Sequence, residues 1–342
     1  MFLKDGLAVD IGSSYIKVVL GNKQRISAFG LIKTPERSVV DNNIVDAEAI
    51  KNSLQEFITE KRWKPSYVSF VIHGQDLIIK HIEVPIMDEK GINKAVEMEI
   101  SQILPDNGDK YYIDFEIQSK INTKDKKVYN LLIGAAPKLK INKYVEIADG
   151  LGLKLKAIDL SANCNARVFK GGEKENQNSS NIAIIDIGYR SCKMTILENG
   201  NLFIEREITS GIRNAIVDIA TRLSIDEEEA FGYLFDKFDF TYIRQDNYLD
   251  KDIQMIFDNV FVNFEKIVQF FATGKLQRKL DKIYLTGGGS EINGIDNYIR
   301  DFFGSQVYSP DSTEKISLKI KAPVGFTLKM YSCALGLLLR KE

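Results

Sequence analysis

The chain has 342 residues, with 46 Lys and Arg against 47 Asp and Glu and a formal charge of −1. That balance argues against nucleic acid as the main partner, because a phosphate-backbone binder carries a basic excess. With 44% hydrophobic and 27% charged residues, disorder, collagen and coiled coil are excluded. At about 100–200 residues per domain, the length predicts two domains or one large bilobed fold. The opening MFLKDGLAVDIGSSYIKVV is broken by Asp5 and Asp10 and lacks a secretory design. No stretch reaches the ~18–20 apolar residues of a membrane span. Cys164, Cys192 and Cys333 are scattered and odd in number, and His73 and His81 are the two histidines. Neither a disulfide scaffold nor a structural zinc site has anything to build on. The expected setting is a reducing, cytosolic one.

In chain order, AVDIGSSYIKVVL at 8–20 predicts a strand, a polar Gly-containing turn and a second strand, and RISAFGLIK at 25–33 a third. Residues 46–63 carry helical periodicity, with Ile50, Leu54, Phe57 and Ile58 on one face. SYVSFVIHG at 66–74 is nearly all apolar, which predicts a central strand covered on both faces. Residues 75–137 form a unit of their own: a strand (77–84), a helix (88–104, stopped by Pro105) and two strands (112–119 and 128–136). The main sheet resumes with a helix (138–150), a strand (154–160) and a helix opening at Ser161 as N-cap. The polar segment GGEKENQNSS at 171–180 suits an inter-lobe linker.

The second half then opens as the first did. IIDIGYRSCKMTI at 184–196 matches Asp186 to Asp10, Gly188 to Gly12 and Lys193 to Lys17, and NLFIEREIT at 201–209 supplies the third strand. Two unrelated hairpins sharing a triplet are the plain alternative, but the whole strand–turn–strand pattern recurs half a chain apart, as in an internal repeat. Helices follow at 211–223, 226–236 and about 250–278. KIYLTGGGSEINGI (282–295) predicts a strand, three glycines and a helix, and MYSCALGLLL (330–339) a short apolar helix with only Arg340, Lys341 and Glu342 after it.

Each repeated turn offers specific chemistry. An Asp at a strand's mouth presents a carboxylate, the Gly after it lets backbone pass close to a ligand, and turn N–H groups point at phosphate. Two such turns facing each other would clamp one polyphosphate, and their aspartates could hold a magnesium ion through its waters. Glycines 287–289 either form a flexible turn or let backbone approach a flat ring beside a helix N-terminus.

Together the three pieces resemble the actin, Hsp70 and sugar-kinase superfamily. The resemblance implies an α/β, actin-like bilobed fold, two RNase H-like sheets with a nucleotide cleft between them, and ATP and Mg2+ as ligands. It implies a first phosphate loop of Asp10, Gly12, Ser13, Ser14, Tyr15 and Lys17, and a second of Asp186, Gly188, Tyr189 and Arg190. Gly287, Gly288 and Gly289 would contact the adenosine, and Asp10 and Asp186 would hold Mg2+ through water. Asp159, in KAIDLSANC, falls near the residue that orients the hydrolytic water, although a capping or solvated Asp fits the same place.

In actin the corresponding insert enters between the third strand and first helix; here it follows the fourth strand and reads β-α-β-β, which resembles the FtsA type. FtsA itself carries a long tail ending in a membrane-binding amphipathic helix, whereas this chain stops three residues after its core-like helix. Among FtsA-like proteins it is most similar to the PilM family of type IV pilus assembly proteins. That resemblance implies a first lobe of 1–74 and 138–176 joined by the C-terminal helix 325–342, a partner-binding insert of 75–137, and a second lobe of 177–324 with a helical part at about 211–280. It implies a cytoplasmic protein held at the inner face of the plasma membrane through a partner. The N-terminal peptide of a PilN-like inner-membrane protein would lie in a groove between insert and first lobe. The pilus assembly ATPase is a further expected contact, self-association stays open, and ATPase activity would be weak or absent.

Three departures from the superfamily pattern leave alternatives open. Tyr189 and Arg190 are bulky where phosphate must approach; Arg190 either contacts phosphate or crowds it, and a degenerate site would leave a pure binding module. In DEEEAFGYLF, Phe231 and Leu234 stand where relatives place ribose-binding charges; Glu228 or Glu229 substitutes for them or forms a solvated first turn. His73 at a strand end is either a base, as a small-molecule kinase would need, or structural; no Asp, Asn and Glu cluster suits a sugar. An FtsA-like cytoskeletal ATPase is the other alternative.

Overall fold

A computed structural model describes residues 3–104, 108–123, 125–170, 181–244, 246–273 and 278–340. The linker expected at 171–180, Pro105, and Lys341 and Glu342 lie outside the described residues. The first sheet begins with β1 (Gly6–Ile11), β2 (Tyr15–Asn22) and β3 (Arg25–Lys33), an antiparallel meander. A two-stranded ribbon follows, β4 (Val39–Val40) and β5 (Asn43–Ile44). Sequence periodicity missed it because each strand has two residues. Its signal is the Asp41–Asn42 pair, both with positive φ (48° and 60°), the residue types that tolerate a left-handed hairpin turn. Helix α1 (Ala47–Glu60) starts where Asp46 accepts a hydrogen bond from the Ala49 amide, and it buries Ile50, Leu54 and Ile58.

All residues of β1 and of β6 (Val68–Ile72) are buried. Parallel pairing of β6 to β1 and to β10 (Leu155–Leu160) explains why: an interior strand covered on both faces is apolar throughout. Between β6 and β10 lie β7 (Ile78–Pro85), α2 (Glu89–Ser101, capped by Asp88), β8 (Tyr111–Asn122), β9 (Lys127–Pro137) and α3 (Lys138–Gly150). β7, β9 and β8 form a separate sheet in that order, and Ile92, Val96 and Ile100 of α2 pack on Leu131 and Ile133 of β9. α4 (Ser161–Lys170) completes the first half. Ser161 is the first residue of that helix rather than a cap outside it, and its hydroxyl donates to Glu205 instead.

The second half repeats the first sheet strand for strand. β11 (Ile182–Ile187), β12 (Cys192–Glu198) and β13 (Asn201–Ile208) form the meander. β14 (Lys282–Thr286) and β15 (Gln306–Tyr308) are the parallel strands. The orders β10-β6-β1-β2-β3 and β13-β12-β11-β14-β15 are the same sequence of pairings read from opposite ends. The repeat therefore extends to five strands, beyond the three legible in the chain. Helices α5 (Ile212–Leu223), α6 (Glu227–Gly232) and α7 (Tyr248–Ala272) cover one face. The helix expected over 226–236 ends as α at Gly232 and continues as a wider π turn, Tyr233–Lys237. α8 (Ile295–Phe303) precedes β15.

The last helix, α9 (Leu328–Leu338), packs with α4 between the two sheets, where Ala8 and Val19 of one half and Ile184 and Tyr284 of the other share its core. The two helices approach so closely that a Cβ on Gly336 would stand 2.2 Å from the Cys164 carbonyl oxygen. We predict that Gly336→Ala costs about 1–3 kcal/mol of overpacking, measured by urea unfolding; an unchanged midpoint would show that the helix pair tolerates separation.

Candidate functional site

Asp10, next to last in β1, stands directly across from Lys17 on β2, and Asp186, next to last in β11, directly across from Lys193 on β12. The two turns are closed alike: Gly12 N–H donates to the Tyr15 carbonyl (3.1 Å) and Gly188 N–H to that of Ser191 (3.0 Å). A Cβ at either glycine would collide with that same carbonyl, at 2.8 and 2.6 Å. Glycine is thus dictated by the turn itself. Thr34 steadies the first turn by donating its hydroxyl to the Gly12 carbonyl (2.7 Å). The start of α5 steadies the second, Ile212 and Arg213 N–H donating to the Gly188 and Tyr189 carbonyls.

Both turns open onto one cavity of about 360 Å3, within the range of small-molecule sites. Asp10, Gly12, Ser13, Ser14, Tyr15 and Lys17 line it from one half, and Asp186, Gly188, Tyr189, Arg190, Gly287 and Gly288 from the other. Gly287 has φ +83° and lies so near β11 that a Cβ would meet Asp186 Oδ1 at 2.2 Å. Gly289 is different: it is buried against Ile187 and Ile212 and does not line the cavity, so its expected ligand contact is withdrawn in favour of a packing role. Nor does an α-helix follow the glycines. A 3-10 turn, Gly288–Glu291, closed by the Ser290 hydroxyl on the Gly287 carbonyl (2.6 Å), comes first.

The centre of the cleft is a buried chain of polar groups that joins the halves. His73, at the end of β6, lies 2.6 Å from Asp10 Oδ1 through Nε2 and 2.6 Å from Lys193 Nζ through Nδ1. An ammonium can only donate, so Nδ1 accepts, and the ring is a neutral imidazole whose Nε2–H donates to Asp10. Lys17 Nζ stands 3.5 Å from Asp10 Oδ2. Burial works against the Asp10 carboxylate, yet Lys17, His73 and Lys193 outweigh it and hold the group well below the usual carboxylate range. Burial also works against the two ammoniums. Asp10 and Asp186 overcome it at Lys17, and Glu207 and Asp186 at Lys193, so both stay above the ordinary lysine value. Across the cleft mouth, Asn42 donates to Glu207 and Gln75 to Thr209 (3.1 Å).

Sequence reasoning missed Lys193 as a site residue, although its place in the repeat was the signal; it took His73 only as a candidate base. It also missed the aromatic wall. Phe231 and Phe235 stack with centroids 4.4 Å apart and line the cavity together with Met330. Leu234 is core, and Glu228 and Glu229 are exposed on the first turn of α6, away from the cavity. They do not replace the missing ribose-binding charges. Tyr189 turns its hydroxyl to Glu227 of α6 (3.5 Å).

One expectation is corrected. Asp159 faces another cavity: Arg167 and Arg340 hold its Oδ2 at 2.7 and 3.1 Å, and its Oδ1 accepts from the Leu160 N–H. It pairs with two arginines rather than orienting water at the cleft. Asp10 and Asp186 do not form a direct ligand set for Mg2+, which leaves the expected contact through water as the way they would hold it. One carboxylate has both oxygens engaged, two ammoniums stand beside the pair, and among the described residues no group of three or more His, Cys, Asp or Glu could hold a metal.

The cavity around Asp159 is larger, about 790 Å3, and runs between the small sheet and the first lobe. Tyr112–Glu116 of β8 borders it along with Gly134 and Ala136 of β9, Ile158 of β10, and Arg167, Lys170 and Arg340. β8 is an edge strand of its sheet, a place where an extended chain can add main-chain hydrogen bonds.

A family model for type IV pilus assembly protein PilM matches residues 8–342. The chain belongs to the PilM family. A solved PilM-PilN type IV pilus biogenesis complex superposes with TM-score 0.77 at 20% identity, covering 98% of each chain. MreB 5 of Spiroplasma citri bound to AMPPNP gives 0.56 at 13% identity, covering 93% of this chain and 95% of that one. The ethanolamine utilization protein EutJ from Carboxydothermus hydrogenoformans gives 0.55 at 14% identity, covering 99% and 90%. The fold is therefore the expected actin-like one, a PilM-type member of it.

The depressed Asp10 carboxyl has a pH signature. Its stabilisation is present above the ordinary carboxylate value of about 3.9 and is lost as pH falls from there through the folded value. Asp10→Asn should cost about 3–5 kcal/mol at neutral pH, and the gap to wild type should shrink between about pH 4 and about pH 2. Urea unfolding across that range checks it; a gap independent of pH would remove the charge from the account.

Proposed function

We propose that this PilM-family chain binds ATP between the repeated hairpins and uses the resulting lobe position to tune a peptide groove for a PilN-like membrane partner. One observation carries the first half: both phosphate-type turns and Gly287–Gly288 line a single cavity. Turn N–H groups facing each other from two lobes suit a polyphosphate, and the Phe231–Phe235 wall with side-chain-free backbone at Gly288 suits a flat base. Likeness to a fold whose relatives include a structure bound to AMPPNP supports the same reading.

The second half rests on the 790 Å3 groove. Its apolar floor of Ile158 and Ala136, charged rim of Arg167, Lys170 and Arg340, and edge strand β8 favour a short extended peptide. The PilM-PilN complex supports a PilN-like source for it. Among the described residues no helix is long and apolar enough to cross a membrane, so attachment at the inner face of the plasma membrane would come through this partner. Contact with the pilus assembly ATPase and self-association belong to the proposal through family membership alone.

α9 links the two sites. Met330 at its start lines the nucleotide cavity, and Leu339 and Arg340 just past its end line the groove. Movement of one lobe on the other is thereby felt at the peptide. The small-molecule kinase reading is disfavoured, because His73 has both ring nitrogens engaged and offers no free base. We read the site as binding nucleotide with slow turnover.

Two substitutions separate the sites. A Cβ on Gly288 would meet nothing nearer than Met330 Cε at 4.0 Å, so Gly288→Val should leave stability within about 0.5 kcal/mol while filling the cavity. Titration with a fluorescent ATP analogue should show at least about a tenfold loss of affinity; unchanged affinity would place nucleotide elsewhere. At Gly134 a Cβ would make only an ordinary contact, 3.5 Å from Leu160 Cδ1. Gly134→Val should weaken a synthetic PilN-type N-terminal peptide by about tenfold in calorimetry and leave nucleotide binding intact. Equal peptide affinity would exclude this groove.

A further inference from the structure

Without a direct ligand set for a metal at Asp10 and Asp186 among the described residues, the charge of a triphosphate in this cleft needs other partners. Lys17 and Lys193 stand across from the two aspartates in the strand register, and Lys17 pairs with Asp10 at 3.5 Å. A divalent cation entering there would meet these two ammoniums as well as the carboxylates of Asp10, Asp186 and Glu207 that face them, and like charges repel more strongly in such a site than in water. Lys193 is 8% exposed and His73 7%, so neither is a solvated surface group.

The partner of Lys193 decides its role. Its ammonium donates at 2.6 Å to Nδ1 of a neutral imidazole, not to a carboxylate. Exchanging that neutral acceptor for a phosphate oxygen adds the attraction of an opposite charge to the hydrogen bond. Arg190 at the exposed rim of the same cavity adds a third positive charge. We propose that Lys193, with Lys17, supplies the countercharge for the nucleotide phosphates where a divalent cation would otherwise sit, so that binding does not require Mg2+. This rests on the reading that the cavity takes a nucleotide. It also assigns Lys193 a second consequence: phosphate draws the ammonium off His73, so occupancy of the site and the bond between the lobes compete for one side chain.

The test is titration of the full chain with N-methylanthraniloyl-ATP in excess MgCl2 and in excess EDTA. Wild-type affinities should agree within about threefold. Lys193→Met should lose about tenfold or more in both buffers, the size of one charge-assisted hydrogen bond, and Lys193→Arg should recover most of it; thermal unfolding checks that the variants fold. A wild-type affinity that collapses in EDTA overturns the inference and leaves the nucleotide reading standing, as does Lys193→Met binding like wild type. Absence of binding in both buffers overturns the nucleotide reading itself.

Discussion

A neutral imidazole wedged between a carboxylate of one lobe and an ammonium of the other sets the geometry of the cleft. Neither Asp10 nor Lys193 would be tolerable alone at this depth, since an unpaired buried charge costs several kcal/mol. His73 reaches 2.6 Å to each and satisfies both at once. Because the three groups come from β1, the residue just after β6, and β12, the chain of contacts fixes the hairpins of the two sheets at the spacing that leaves a cavity between them. The bridge is a hydrogen-bonded one with a neutral centre, which makes it exchangeable.

Duplication supplies the rest. Each sheet carries an Asp next to the end of its first strand, turns through a Gly forced by a nearby carbonyl, and returns a Lys opposite the Asp. Placing two such sheets face to face around α4 and α9 yields paired turns with nearly matched charge. The two halves depart from symmetry at the lysines: Lys17 stays beside the Asp of its own half, whereas Lys193 crosses to His73 of the other. α9 touches the cavity between the turns with Met330, and the chain just beyond its end borders the groove beside the small sheet.

The hairpins were legible because register is local: Asp10 and Lys17 are opposed within a single turn, and so are Asp186 and Lys193. The small sheet was legible for a similar reason, its strands and capped helix being contiguous in the chain. Long-range partners were not legible. Asp159 resembles a catalytic position in sequence, and only folding brings Arg340, from the far end of the chain, onto its carboxylate. His73 gave no hint that Lys193 of the other half would meet its ring. Gly289 lies in the same triplet as two cavity glycines, yet its contacts with Ile187 and Ile212 come from strand packing that a triplet cannot reveal. The π turn after Gly232 is likewise a tertiary adjustment, with Leu234 drawn into the core.

The central claim is that the Asp10 and Asp186 turns grip one ligand from opposite walls. A crystal structure of the chain with a non-hydrolysable ATP analogue tests it most directly. The account predicts phosphate density between the Gly12–Ser14 and Gly188–Arg190 backbones, with the base beside Gly288 and Phe231. An analogue seated outside this cavity, or bound to one turn with the other turned away, would contradict it.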